Sequence, residues 1–69
     1  MKNNRFSKRL RELRVDRGLT QVTLAKALKV SQSSIAKWEK GDLEPNLETL
    51  GNIRTFFKVS MDYLLGFED

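Results

Sequence analysis

Cysteine and histidine are both missing from this 69-residue sequence. Without thiols or imidazoles there is no disulfide framework, no zinc finger, no thiol nucleophile and no imidazole base, so only carboxylates, lysines and hydroxyls are left for catalysis. The carboxylates offer little. Glu12 and Asp16 stand among arginines at the i, i+4 spacing of ordinary pairing along a helix surface. No enzyme is expected, and no metal or other cofactor is called for. Long apolar runs are missing too: none approaches the ~20 apolar residues of a membrane span, and Met1-Lys2-Asn3-Asn4-Arg5 leads into nothing apolar enough to serve as a secretion signal. The expectation is a cytoplasmic protein with no membrane partner and no small-molecule ligand. Proline occurs once, at Pro45. No segment alternates with the period of two that a half-buried strand requires, which leaves an all-α reading.

What is present is charge, and its placement matters more than the net +4. From Met1 to Lys40 eleven basic residues oppose three acidic ones, whereas from Gly41 onward two basic residues oppose six acidic ones. Such polarity suits a molecule that turns one face toward a polyanion, with a solvated basic surface as the alternative. At 39% hydrophobic and 32% charged residues the composition describes one soluble domain. A domain this small buries only about 60% of the surface its unfolded chain exposes. Its stability must come from tight helix packing, with a partner subunit as a further source.

The helices follow from periodicity and punctuation. Phe6, Leu10 and Leu13, with Arg17 in the same row, predict a first helix over about 6–17, stopped by a left-handed Gly18. Thr20 is placed to cap a short second helix from Gln21 to Leu28, with Val22, Leu24, Ala25 and Leu28 as its apolar contacts. Lys29 and Val30 form a tight turn. Ser31 then caps a third helix to about Lys40 that turns Ile35 and Trp38 inward, the tryptophan as core. After the turn-rich Gly41-Asp42-Leu43-Glu44-Pro45, Asn46 caps a fourth helix with the apolar row Leu47, Leu50, Ile53 and Phe57 and with Glu48 near its positive end. Ser60 caps a last turn over Met61 to Leu65, ended by Gly66. The expected organisation is a basic segment over 1–5, a five-helix domain over 6–66 and a tail over 67–69.

The segment Thr20 to Lys40 carries the function. Two helices separated by so few residues must cross steeply, which is the helix-turn-helix, and the third helix is then free to enter a major groove. Its outer residues Gln32, Ser33, Ala36 and Lys37, with Ser34 beside them, are short or hydrogen-bonding. A surface helix built for solubility would carry Glu and Lys pairs there.

Gly18-Leu19-Thr20-Gln21, Leu24-Ala25, Val30-Ser31-Gln32-Ser33-Ser34-Ile35, Trp38-Glu39, Gly41, Pro45 and Asp62-Tyr63-Leu64-Leu65-Gly66 resemble the Cro and phage-repressor (XRE-type) helix-turn-helix proteins over about 6–66. The resemblance implies a lambda-repressor-like DNA-binding domain and a transcription regulator, most readily a repressor. It implies base contacts from Gln32, Ser33 and Lys37, and the chemistry permits them: Gln pairs with adenine, Lys donates to guanine and Ser suits either. Lys37 has a phosphate or solvent as its alternative. Gln21 resembles the family's phosphate holder at a helix N-terminus, with Thr23, Ser34, Lys40 and Asn46 as further phosphate candidates, Asn46 being equally suited to a plain cap. Lys2, Arg5, Lys8 and Arg9 would add non-specific attraction. Arg14 and Glu39 correspond to a pair that fixes the recognition helix in the family. Where the family often has glycine between the two helices this chain has Lys29, so a left-handed lysine is expected.

One recognition helix reads only a few base pairs. Specificity therefore calls for a homodimer on an inverted-repeat operator of double-stranded DNA with half-sites about 34 Å apart. By elimination its interface falls in the acidic C-terminal part, where Phe56, Leu64 and Phe67 are apolar residues that five small helices need not cover. RNA polymerase or another protein is a further candidate partner. The rival reading is an adaptor or antitoxin-like module that grips a protein first and DNA second.

Overall fold

The computed structural model describes residues 4–68. Five helices follow one another: α1 (Asn4–Asp16), α2 (Gln21–Leu28), α3 (Gln32–Lys40), α4 (Leu47–Phe57) and α5 (Met61–Leu65). No strand occurs among the described residues. Of the basic segment assigned to 1–5, the first three residues, Lys2 included, lie outside the described residues, and Arg5 already belongs to α1.

Each helix from α2 onward starts on a side-chain cap. Thr20, Ser31, Asn46 and Ser60 hold extended backbone, and each accepts from the N–H three residues on, at 3.0, 3.0, 2.8 and 2.9 Å in turn. The residue types fit this task because a short side-chain oxygen reaches back to an amide that no carbonyl can satisfy, for about 1 kcal/mol per cap.

All five helices also stop in one way. Gly18, Lys29, Gly41, Lys58 and Gly66 have positive φ. The N–H of the next residue closes on the carbonyl five back, Leu19 on Arg14, Val30 on Ala25, Asp42 on Lys37, Val59 on Arg54 and Phe67 on Asp62, at 2.8 to 3.1 Å. These are Schellman closures, in which the left-handed residue reverses the chain and the following one, apolar in four of the five, folds back on the helix. Two of the reversals carry a Cβ that disfavours them, at Lys29 (φ 60°) and Lys58 (φ 59°). The family resemblance anticipates the first and not the second. A left-handed residue with a Cβ costs roughly 1–2 kcal/mol, part of which glycine returns as unfolded-state entropy. Lys29→Gly and Lys58→Gly are therefore each expected to raise the melting temperature by roughly 2–6 °C in a domain of this size. A thermal melt showing a lower midpoint for both would mean the turns carry no strain.

The core draws on every helix: Phe6, Leu10 and Leu13 from α1, Leu24 and Ala25 from α2, Ile35 and Trp38 from α3, Ile53 and Phe57 from α4, and Leu64 from α5. Two apolar residues expected inside are outside. Val22 is 43% exposed because it lies about 200° around α2 from Leu24, and Leu47 is 78% exposed because it stands at the first position of α4, a turn ahead of the core. Leu64, expected at an interface, is 0% exposed: α5 lies over α1 and α4 and uses it to close the core.

Arg5 and Arg9 of α1, with Arg17 just past its end, fasten the C-terminal part. Arg5 donates to the Gly66 carbonyl at 2.7 Å and packs where a Cβ on residue 66 would stand. Arg9 lies 4.1 Å from the Tyr63 ring centroid and donates to the Glu68 carbonyl at 3.1 Å, while Ser60 Oγ donates to the Glu68 carboxylate. Arg17 reaches over the Phe57 ring and donates to the Phe57 carbonyl at 2.8 Å, satisfying an orphan group at the end of α4. Phe67 and Glu68, expected as a tail, are thus hydrogen-bonded to the body. Asp69 lies outside the described residues.

Candidate nucleic-acid interface

Only Lys29, Val30 and Ser31 separate α2 from α3, and the left-handed Lys29 turns the chain sharply enough for α3 to cross α2 instead of lying alongside it. Ile35 and Trp38 then plug α3 into the core at 0% and 7% exposure. At 100° per residue, Gln32, Ala36, Lys40, Ser33 and Lys37 fall in that angular order within about 140° of the helix surface. Four of them are exposed and Ala36, the small one, is half-buried. This is a continuous polar stripe on the side away from the core. Ser34 lies beyond its edge, half-buried, with its hydroxyl 2.9 Å from that of the cap Ser31.

The stripe is held by a charged cluster beneath it. Arg14 Nε donates to Glu39 Oε2 at 2.6 Å and Arg14 Nη2 to Glu39 Oε1 at 3.0 Å, a two-pronged pair between the last turns of α1 and α3 with side chains 12% and 5% exposed. Arg14 Nη1 donates at 2.9 Å to the carbonyl of Leu19, in the connection before α2. The hydrogen bond from Glu39 holds the guanidinium above its ordinary pKa, against a downward pull from burial and with help from the carboxylate's charge. These three bonds of the arginine fork all run inward and tie the last turn of α1 to α3 and to the connection before α2.

The remaining expected contacts divide by what their polar atoms already do. Gln21, half-buried, donates through Nε2 to Glu39 Oε1 at 3.2 Å. Thr23 Oγ1 sits 2.8 Å from Thr20 Oγ1, and Asn46 Oδ1 is the acceptor that caps α4. Lys40 faces Asp42 at 3.6 Å with both side chains largely exposed, a contact worth little in water. The main-chain N–H groups of Gln21 and Val22 are different. As the first two residues of α2 they have no acceptor within the helix, Thr23 and Leu24 being served by Thr20. They present two donors at the positive end of a helix dipole beside the stripe. Sequence reasoning placed Gln21 at this end, yet its bond to Glu39, across |i−j| = 18, has no local signal that could reveal it.

Residues 10–64 match the family model described as helix-turn-helix. The chain is similar to the HTH-type transcriptional activator BcrR of Enterococcus faecalis, 45% identical over 64 residues that make up 93% of this chain and 31% of that protein. It is similar also to the HTH-type transcriptional regulator DicA of Escherichia coli (strain K12), 39% identical over 69 residues, 99% of this chain and 51% of that one. It thus spans about half or less of the length of these relatives. Among solved structures it resembles the P22 c2 repressor protein, crystallised in complex with a synthetic operator, with a TM-score of 0.85 and 33% identity over 91% of this chain and 96% of the other.

Proposed function

The chain belongs to the helix-turn-helix family of the Cro and phage-repressor type, and on that premise we propose that it binds double-stranded DNA sequence-specifically in the cytoplasm as a transcription regulator, most readily a repressor. The observation that carries this reading is the exposed polar stripe of α3 set over the Arg14 and Glu39 pair. Gln32, Ser33 and Lys37 read base edges in the major groove. The free main-chain donors of Gln21 and Val22 hold a phosphate, with Thr23, Ser34, Lys40 and Asn46 beside neighbouring phosphates. The P22 c2 repressor's crystallisation with an operator supports the same use of this fold. Binding itself makes and breaks no bond; a regulator seated on a promoter excludes RNA polymerase, and one seated beside it can contact polymerase and activate.

Specificity requires two copies on an inverted repeat. With Leu64 committed to the core, Phe56 and Phe67 remain as apolar contacts for a second copy. Phe56 is half-buried and edges a groove with Ala27, Leu28, Lys29, Asn52 and Thr55, and Phe67 is 69% exposed.

Selection of bound duplexes from a random pool tests the reading. The expected product is an inverted repeat with centres roughly one helical turn apart, bound with an affinity that falls by about 10³-fold or more between 50 and 200 mM salt. A pool that enriches no common sequence would overturn it.

A further inference from the structure

Of the five side chains on the outward stripe of α3, four carry a donor or an acceptor and one, Ala36, carries only a methyl group. It stands midway along the helix, a turn after Gln32, a turn before Lys40 and three residues after Ser33, so its Cβ lies about 5–6 Å from theirs. Half-buried as it is, Ala36 is not one of the core residues, a place α3 fills with Ile35 and Trp38. Whatever lies against it in a major groove loses its water and gains no hydrogen bond from this side chain. A purely polar base edge is penalised there, because a desolvated donor or acceptor needs a partner. Guanine presents N7 and O6, adenine N7 and N6, and cytosine N4, whereas thymine alone adds an apolar group, its C5 methyl, beside O4. Methyl against methyl removes apolar surface from water on both sides.

We propose that Ala36 is a further specificity-determining residue, whose methyl group packs on the C5 methyl of a thymine in each half-site. This rests on the DNA-binding reading and names, within it, the chemical group that a fourth position of α3 recognises. The thymine falls within about two base pairs of the base read by Gln32, since four residues of helix advance about 6 Å and one base pair about 3.4 Å. Recognition by burial of a methyl separates thymine from uracil, which pairs identically and differs at C5 alone. A phosphate contact or a hydrogen bond to O4 is the same for both.

The test takes the tightest duplex from the random pool and replaces its thymines by deoxyuridine, one position at a time and in both half-sites together. At one position the wild-type affinity is expected to fall by about fourfold per methyl, the worth of one buried carbon, and so by about fifteenfold for the pair. Ala36→Ser, which puts a hydroxyl into the contact, and Ala36→Gly, which removes the methyl, should each bring that ratio below about threefold. Because each ratio compares two duplexes on one protein, a loss of helix stability in either variant cancels. The assignment is overturned if the selected sequences hold no thymine in common, or if wild type loses less than about threefold at every thymine; Ala36 is then a helix former without a contact. It is overturned equally if either variant keeps a ratio above about threefold, which transfers the methyl to a neighbouring side chain or to the shape of the duplex. A pool that enriches no duplex at all defeats the DNA-binding reading itself, before any variant is made.

Discussion

Glu39→Ala is expected to lower the melting temperature by roughly 12–40 °C, the largest stability effect of any single substitution at the interface. The alanine leaves the Arg14 guanidinium, 12% exposed, facing a cavity with its Nε and Nη2 donors unmatched, and it also strips the Gln21 amide of its acceptor. Breaking a buried ion pair from one side costs about 3–5 kcal/mol, and at roughly 4–8 °C per kcal/mol for a domain this small that is most of its stability. The desolvated orphan charge is what destabilises. Accordingly, Arg14→Met combined with Glu39→Leu should recover more than half of the loss, because an apolar pair of similar volume has no charge to solvate. Thermal melts of the three proteins settle the matter. A midpoint for Glu39→Ala within about 3 °C of wild type, where exposed pairs fall, would show that the cluster is no more than a surface contact.

The triple variant Gln32→Ala, Ser33→Ala, Lys37→Ala is expected to keep the fold and lose the sequence. All three side chains are exposed, none holds a cap and none enters the core, so the melting midpoint should move by only a few degrees, as surface changes do. Binding to the selected duplex should fall by about 10²–10⁴-fold, since each correct base contact supplies roughly 1–3 kcal/mol of discrimination. Binding to a scrambled duplex should fall much less and lose a part of its salt dependence through Lys37. Paired titrations on the two duplexes give the ratio directly. A ratio unchanged from wild type would mean that the stripe does not read bases.

The pattern of agreement between sequence and structure is physical. Helix starts and stops were legible almost to the residue because caps and Schellman closures act over three to five positions: Thr20 on Thr23, Ser31 on Ser34, Gly18 and Gly41 as reversals. Nothing local marks Lys58 as left-handed, whereas Lys29 stands where the family often has glycine. Which apolar residues would be inside was legible only in part. Leu64 and Leu47 are the same residue type at helical spacing, yet one is fully buried and the other 78% exposed, and periodicity does not say where the next helix will lie.

The amino-acid order alone determined the number of helices, their ends, the polar stripe beginning at Gln32 and the basic first half, because each depends on residues within one or two turns of one another. The tertiary structure alone decided which polar atoms are already engaged: Gln21 with Glu39, Arg9 with Glu68 and Arg5 with Gly66, the last at |i−j| = 61. Such pairs form only once the core has brought distant segments together, since the hydrophobic drive that assembles them is non-directional and leaves no trace in local spacing.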